Sequence, residues 1–411
     1  MASPVSDPPR PPRVDPRTSV ADPGALTVTR HRGVEAFLQL EPAWRGLLGR
    51  TGTTNPFLSW EWVSEWGRSF WDERLVTVVV ETPAGTVAIA PFHEYQGLPA
   101  PGLRAPSLEL MGPRRRRYRQ MFELAEALVD PDRAAAALTL VVDRVWGGGR
   151  WSWIEVGGWG EGAGWWHEAI AAAGSVVGAT PEGRRDVLVM ELGGSWEEVR
   201  ARLRRNVKES IRRAYNAPAR DHLRLVYSEH TGVDGLDPVL DDLFTLHAAR
   251  AGLRRGVSHP DYFSDPAVRG FVRRLAHRLA EAGRLRLGVV ELDGRRVAIR
   301  FNMEMNGVLY LYHSGFDPDL WRYSVSTLAT VEAMKAAISR GLRAVNFSIG
   351  VDQAKARWDA RPVSFERIQI VRATPGARRV SALYGGMRHA RQAGLAGVSR
   401  VGHLGPHRAG V

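Results

Sequence analysis

Residues 284–358 constrain the fold of this chain more than any other stretch. Three β-rich apolar runs follow one another there: 285–292, 296–304 and 308–313. The turn pairs Asp293-Gly294 and Asn306-Gly307 separate these runs. Such pairs between apolar runs favour hairpins, because glycine tolerates a positive φ angle. The stretch therefore predicts three consecutive antiparallel strands.

A helix and a buried strand follow the third strand. Ser324 begins a predicted helix that reaches about Arg340 and stops at Gly341, with end residues that helices favour. Residues 344–349 are short and apolar, as in a buried parallel strand. Together these elements predict a mixed α/β sheet. Ligands bind in such sheets where strand carboxyl ends meet a helix N-terminus, a place bounded here by His313, Ser324 and Asp352.

Composition excludes several classes of site. The 411 residues include no cysteine, which rules out thiol catalysis, disulfides and cysteine metal ligands. No apolar run is long enough for a membrane span, and the N-terminus lacks a signal region, so we expect a cytoplasmic protein. No spacing of His, Asp and Glu predicts a metal site. Residues 1–25, rich in proline and charge, predict a disordered tail.

The net charge of +12 is spread over the chain rather than gathered in one patch. Residues 374–411 contain arginines but no acid and form a predicted basic tail. A predicted helix that begins after Ser195 is basic except along one narrow apolar stripe. Such a charge favours nucleic acid, membrane surfaces or anionic small ligands as partners.

One strand pair repeats an earlier pair at a fixed offset. Arg74-Leu75, Val79-Val80-Glu81 and Val87-Ala88-Ile89 recur as Arg284-Leu285, Val289-Val290-Glu291 and Val297-Ala298-Ile299 (284 − 74 = 210). Two copies of one α/β unit, at residues 26–192 and 193–373, explain the constant offset. The alternative is two hairpins that converged on common strand residues.

The order of elements in the second unit resembles the GNAT acyltransferase fold. The resemblance is carried by Arg202-Leu203-Arg204-Arg205-Asn206, Gly283-Arg284-Leu285, residues 309–318, Arg322-Tyr323-Ser324 and Lys355-Ala356-Arg357-Trp358, with residues 55–62 in the first unit. These segments are similar to CelD-like (cellulose-biosynthesis-protein-type) acetyltransferases, relatives of the FemAB-type peptidyltransferases. The resemblance implies tandem GNAT-like units in a Fem-like architecture, with acetyl-CoA or another acyl-CoA as donor and no metal.

The start of the Ser324 helix is the candidate donor site. Its free N–H groups and dipole suit a pyrophosphate, and the candidate residues are Arg322, Tyr323, Ser324, Val325 and Ser326. GNAT enzymes usually place a glycine-rich turn here, and this segment has no glycine. The alternative is an ordinary capped helix beside a surface arginine.

Acyl transfer to an amine needs a proton acceptor and a polarised carbonyl. Asp352, at the end of a buried strand, is the candidate base, with Lys355 on the same face of the next turn. A surface ion pair between the two is the alternative. His313 and Glu304 are candidate proton relays near strand ends, against simple packing of the histidine.

Three further residues are candidates for substrate binding. The resemblance implies that the helix bearing His247 and Arg250 walls the acceptor cleft, and Tyr312 is a further candidate contact. An exposed helix surface and sheet packing are the respective alternatives. Residues 157–164 predict a glycine loop, whose spacing fits neither a dinucleotide nor a Walker motif.

Three functions remain open at this stage. The leading one is an acyl-CoA-dependent N-acyltransferase that transfers an acetyl group to a small or polymer-linked amine between the units. The second is Fem-like transfer from aminoacyl-tRNA, with the basic residues 200–213 and 114–119 contacting RNA phosphates. The third is a non-catalytic GNAT-fold scaffold in polysaccharide or natural-product biosynthesis.

Overall fold

One mixed sheet runs through the whole described part of the chain. The computed structural model describes residues 25–96, 106–147, 151–173, 176–178, 184–253, 260–372 and 374–379, with positions 382, 383 and 386. The strands are β1 (Thr27–Arg32), β2 (Leu75–Thr82), β3 (Gly85–Tyr95), β4 (Ser107–Leu110), β5 (Leu128–Val129), β6 (Trp153–Trp159), β7 (Val176–Gly178), β8 (Arg184–Glu191), β9 (Leu225–His230), β10 (Leu285–Leu292), β11 (Arg295–Met305), β12 (Val308–Phe316), β13 (Ala344–Ile349) and β14 (Arg361–Val371). The mixed α/β fold class is confirmed.

Helices cover both faces of this sheet. They are α1 (Val34–Leu38), α2 (Glu41–Thr51), α3 (Trp60–Phe70), α4 (Ala134–Gly147), α5 (Glu161–Ala172), α6 (Trp196–Arg202), α7 (Arg205–Arg220), α8 (Leu236–Ala251), α9 (Pro266–Glu281), α10 (Val325–Ser339) and α11 (Gln353–Ala356). Side chains of α6, α7 and α10 pack together on one face of β12 and β13. Helices α8 and α9 pack on the other face, where they join the core of the N-terminal half.

The two halves of the chain exchange their last strands. The sheet order is β1-β2-β3-β4-β6-β14-β8-β13-β12-β11-β10-β9. From each edge inward, four antiparallel strands lead to a parallel pair, β4 with β6 and β12 with β13. Strand β14 then pairs with β6, β8 pairs with β13, and β8 and β14 pair with each other. Each half therefore supplies a strand to the other half's sheet.

The repeat found in the sequence has a structural counterpart. Strands β10 and β11 have the bounds of β2 and β3 shifted by 210 (285 − 75 and 305 − 95). Both hairpins carry a register shift at the same place, after Val80 and after Val290. The shared bulge is a further match between the two hairpins. The boundary at residues 192 and 193 stays a prediction.

An aromatic core joins the two halves. Trp62 and Trp66 of α3 meet Phe271 of α9 edge-on at 5.5 and 5.6 Å, and Trp62 also meets Tyr312 of β12 at 5.2 Å. Aromatic pairs add about 0.5–1.5 kcal/mol each beyond the burial of their surface. This packing fixes the N-terminal half against the face of β12 where the candidate site lies.

The predicted glycine loop at residues 157–164 is wrong. Strand β6 runs through Gly157 and Gly158, and α5 begins two residues after Trp159. A Cβ on Gly157 would lie 2.5 Å from Phe365, and one on Gly158 would lie 2.4 Å from the Ala163 nitrogen. The glycines are there because β14 and α5 approach the strand closely.

The predicted basic helix after Ser195 is wrong in one respect. It is two helices, because Leu203 and Arg204 take extended backbone angles. Most of the two predicted tails, residues 1–24 and 387–411, falls outside the described part of the chain. Within the described ranges, no helix combines the length and the apolar character that crossing a bilayer requires.

Candidate active site

Strands β12 and β13 separate after a short parallel contact. They pair only from Val308 with Ala344 to Tyr310 with Asn346. Beyond that point β12 stays with β11, and β13 follows β8, with a positive φ of 68° at Ser348. The two strands therefore form a wedge-shaped opening after Tyr310, which we call the wedge.

Helix α10 begins at this side of the sheet. Ser324 precedes the helix as predicted and has a φ of 51°. Its hydroxyl does not make the capping hydrogen bond that a serine usually makes there. The N–H groups of Thr327 and Leu328 bond back to the Ser324 carbonyl at 2.8 and 3.1 Å. The N–H groups of Val325 and Ser326 precede these bonds, as in any helix start, and suit an anion.

The predicted donor residues Arg322 and Tyr323 contact the end of α7. Tyr323 is buried, and its hydroxyl donates to Asp221 at 2.7 Å, a bond that raises its pKa. The exposed Arg322 guanidinium lies 4.6 Å over the Tyr323 ring. These two residues hold the segment before α10 to the end of α7.

Three arginines surround the start of α10 without carboxylate partners. Each donates to a neutral oxygen: Arg250 to Ser314 Oγ at 2.9 Å, Arg300 to Thr330 Oγ1 at 3.3 Å and Arg357 to Thr327 Oγ1 at 2.9 Å. Burial lowers the pKa of all three, and that of Arg300, beside Arg250, falls to about 10. In the described ranges none of them forms an ion pair with an acid. Part-buried cations without counter-ions are costly, so the cluster fits an anionic ligand.

Glu123 enters the wedge from the N-terminal half. Tyr310 of β12 donates to its carboxylate at 2.5 Å, and Ser348 of β13 lies 2.9 and 2.8 Å from its two oxygens. Burial raises the pKa of Glu123, while the Tyr310 and Ser348 bonds and the charge of Lys355 oppose that rise. A buried carboxyl with a raised pKa at the point where two strands separate is suited to take up a proton.

Lys355 lies near Glu123, and among the described residues no ion pair joins it to Asp352, so the alternative of a surface pair is not observed. The Lys355 ammonium donates a hydrogen bond to the carbonyl oxygen of Ile349 at 2.6 Å. Burial lowers its pKa, and the charges of Glu123 and Asp352 oppose that change. The exposed Asp352 accepts a bond from the backbone N–H of Lys355 at 2.9 Å and so caps α11. Lys355 therefore lies at the wedge, while Asp352 is exposed at the start of α11.

His313, His247 and Tyr312 line the α8 side of the same strand. His247 is fully buried and its Nδ1 lies 3.0 Å from the Ser314 carbonyl, so the alternative of an exposed helix surface is wrong. The His313 ring meets that of His247 at 6.0 Å. Tyr312 is buried and donates to the carbonyl of Met121 at 2.7 Å. All three are packed at the base of the wedge.

Glu304 is the predicted site residue that lies elsewhere. It pairs with Leu309, which precedes the wedge, and forms ion pairs with Arg286 at 3.0 Å and Arg340 at 3.1 Å. Arg340 follows the C-terminal end of α10, so Glu304 lies at the opposite end of β12. The two ion pairs neutralise the Glu304 carboxylate and connect β11 to β10 and to the end of α10.

Three charged residues of the candidate site were not predicted from the sequence: Glu123, Arg300 and Arg357. Glu123 stands in an apolar segment and Arg300 in an apolar strand, where an unexplained charge is a usable signal. Arg357 lies in one of the segments that resemble the acetyltransferase family, but the sequence did not suggest a role for it. Among the described residues, no cluster of three or more His, Asp or Glu side chains is arranged to hold a metal ion.

Comparisons with known proteins agree with this architecture. Residues 201–356 match a protein-family model described as an acetyltransferase (GNAT) domain. The fold is a GNAT fold. The crystal structure of FemX shares it with a TM-score of 0.56, at 10% identity over 83% of this chain and 98% of that chain. A conserved protein of unknown function from Bacteroides thetaiotaomicron VPI-5482 has a TM-score of 0.50, at 13% identity over 80% of this chain and 97% of that chain. The curated proteins give no significant match. Within the GNAT domain, the wedge and the start of α10 are both inside the matched range.

Proposed function

We propose that the chain is an acyl-CoA-dependent N-acyltransferase that transfers an acetyl group to an amine. The observation that supports this most is the wedge between β12 and β13, which adjoins the start of α10 and the three arginines Arg250, Arg300 and Arg357. A coenzyme A thioester has phosphates at one end and an uncharged chain at the other. The arginines suit its phosphates, and the wedge suits its chain. The CelD-like resemblance favours acetyl as the group transferred.

The reaction needs one bond to form and one to break. The neutral amine nitrogen bonds to the thioester carbonyl carbon, the carbon–sulfur bond breaks, and one proton passes from nitrogen to the released thiolate. Glu123 is our preferred proton acceptor, because its raised pKa brings it closer to neutrality. The Lys355 ammonium would stabilise the oxyanion that develops on the carbonyl. Asp352 stays the alternative base.

Calorimetry with acetyl-CoA and free CoA tests the donor assignment. Wild-type protein should bind both, and Arg300→Gln and Arg357→Gln should each weaken binding by about tenfold, the equivalent of about 1.4 kcal/mol. The matched control is Arg269→Gln, which removes an exposed arginine from α9. Absence of heat and of thermal stabilisation with the wild type, or equal binding by Arg300→Gln, would contradict the assignment.

An aminoacyl-tRNA donor is the second candidate. Exposed arginines of α6 and α7 lie on the α10 side of the sheet, because α7 packs against α10 and holds Tyr323 through Asp221. They are Arg200, Arg202, Arg205, Arg212, Arg213 and Arg220. A tRNA that is retained at low salt and released as salt rises would support this donor. Retention of neither tRNA nor CoA would favour the non-catalytic scaffold.

A further inference from the structure

We propose that the acceptor is an amine that also carries a carboxylate, and that Arg185 binds that carboxylate. This inference rests on the proposed acyl transfer and names the substrate class of the same site. Arg185 lies in β8, two residues before Val187, which pairs with Ile349 at the end of β13. Alternate residues of a strand share a face, so Arg185 and the core residue Val187 point to the same side of the sheet. That side is where Glu123 lies.

Arg185 lines a small cavity that reaches Glu123. The cavity measures about 20 Å³, and its polar lining is Glu109, Arg119, Glu123, Arg185 and Arg367. Glu123 is thus common to the cavity and the wedge. A group held in the cavity lies next to the carboxyl proposed to accept the amine proton.

The other two arginines of the cavity already have acidic partners. Arg119 pairs with Glu109 and, at 2.8 Å, with Glu155, while Arg367 pairs with Glu109 at 2.8 Å. In the described part of the chain, Arg185 forms neither an ion pair nor a hydrogen bond through its guanidinium. Among the cavity's three arginines, Arg185 alone lacks an acidic partner.

The cavity leaves Arg185 without an acid of its own. Burial lowers the pKa of Arg185, the nearby Arg119 lowers it further, and Glu123 opposes both. Glu109 and Glu155 pair with Arg119, while the Glu123 carboxylate bonds to Tyr310 and Ser348. An anion on Arg185 would supply the partner that this guanidinium lacks.

A carboxylate fits this position better than a larger anion. The guanidinium fork matches the two oxygens of a carboxylate, and the small size of the cavity disfavours a bulkier anion such as phosphate. Tyr262 contributes a hydroxyl-bearing ring within electrostatic range of both Arg185 and Glu123. With its carboxylate on Arg185, an amino acid or a peptide end would present its amine toward Glu123.

The test compares acceptors with and without the carboxylate. Thiol release from acetyl-CoA is measured with glycine, β-alanine and lysine, and with the carboxamide of each. Wild type should prefer the carboxylates by about tenfold or more in kcat/KM. Arg185→Gln should lose that preference, because its KM rises for the carboxylates more than for the carboxamides. Arg185→Lys, which keeps the charge, should be intermediate.

The matched control is Arg184→Gln, which removes the neighbouring exposed arginine of the same strand. It should behave as wild type. Equal use of carboxylates and carboxamides, a preference that survives in Arg185→Gln, or no carboxylate acceptor used by a protein that binds CoA would each overturn the inference. If the protein does not bind CoA at all, the proposed donor is wrong, but the carboxylate site can still be tested. Acetate and glycine should then raise the melting temperature of wild type and of Arg184→Gln but not that of Arg185→Gln.

Discussion

The hydroxyl of Ser348 lies 2.9 and 2.8 Å from the two carboxylate oxygens of Glu123, although 225 positions separate the two residues. Glu123 belongs to the N-terminal half and Ser348 to the strand that forms one side of the wedge. The match to a GNAT domain at residues 201–356 therefore does not include Glu123. The N-terminal half supplies the buried acid.

Glu123→Gln should abolish most of the transfer activity. The substitution keeps the size of the side chain but removes its ability to take a proton, which is worth about a hundredfold or more in kcat. In wild type, kcat/KM should fall as pH drops below the raised pKa of Glu123, and that fall should be absent from the variant. Steady-state thiol release across pH measures both effects. An unchanged rate would exclude Glu123 as the base.

Asp352→Asn should retain its rate within about threefold, since asparagine caps a helix as well as aspartate does. The observed contact of Asp352 is with the backbone N–H of Lys355, which an asparagine oxygen also accepts. The same thiol-release assay measures the rate. A loss as large as that of Glu123→Gln would instead assign the base to Asp352.

Gly158→Ala should destabilise the fold by about 2 kcal/mol or more, because its Cβ would meet the backbone of α5. The matched control is Gly164→Ala in the same segment, whose Cβ has no neighbour within 4 Å. That control lies inside a helix and should be stabilised by about 0.5–1 kcal/mol. Urea unfolding of both variants measures the difference. Equal stabilities would contradict the packing role of these glycines.

The free energy of unfolding should fall as pH rises from about 4.5 to about 7. Burial raises the pKa of Glu126 from 4.5 to about 7, against bonds from Asn55 and the Trp159 N–H. Between these pH values the Glu126 carboxyl ionises in the unfolded chain but stays protonated in the folded protein. The free energy of unfolding therefore falls by about 3 kcal/mol. Urea unfolding near pH 5 and pH 8 measures it.

Glu126→Gln isolates this contribution from other titrating groups. The variant should lose about 1–3 kcal/mol near pH 5, because the amide leaves one donor without an acceptor. Its stability should then change less than that of wild type between the two pH values. An identical pH dependence in both proteins would show that Glu126 is not the responsible group.

Local sequence patterns predicted helices and strands well where an apolar face or a capping residue determines the bounds of the element. Strand β10 and strand β13 have the predicted bounds. Turn glycines and apolar runs act over a few residues, so one chain suffices to read them. The prediction for residues 157–164 failed because their glycines serve close packing by elements distant in sequence.

The candidate site was predictable only in part for the same reason. The position of the wedge beside α10 follows from the order of strand, helix and strand. Glu123 depends on how the halves pack, which no local pattern records. Glu304 was placed wrongly because a strand in the sequence does not reveal which of its two ends faces the ligand.

The exchange of β8 and β14 makes the two halves mutually dependent. A fragment that starts at residue 193 lacks the neighbour of β13 and would present a bare row of backbone N–H and carbonyl groups. Such a fragment would recruit a strand from another molecule or aggregate. If the polypeptide were cut between the halves, the paired strands β8 and β14 would still hold the two pieces together.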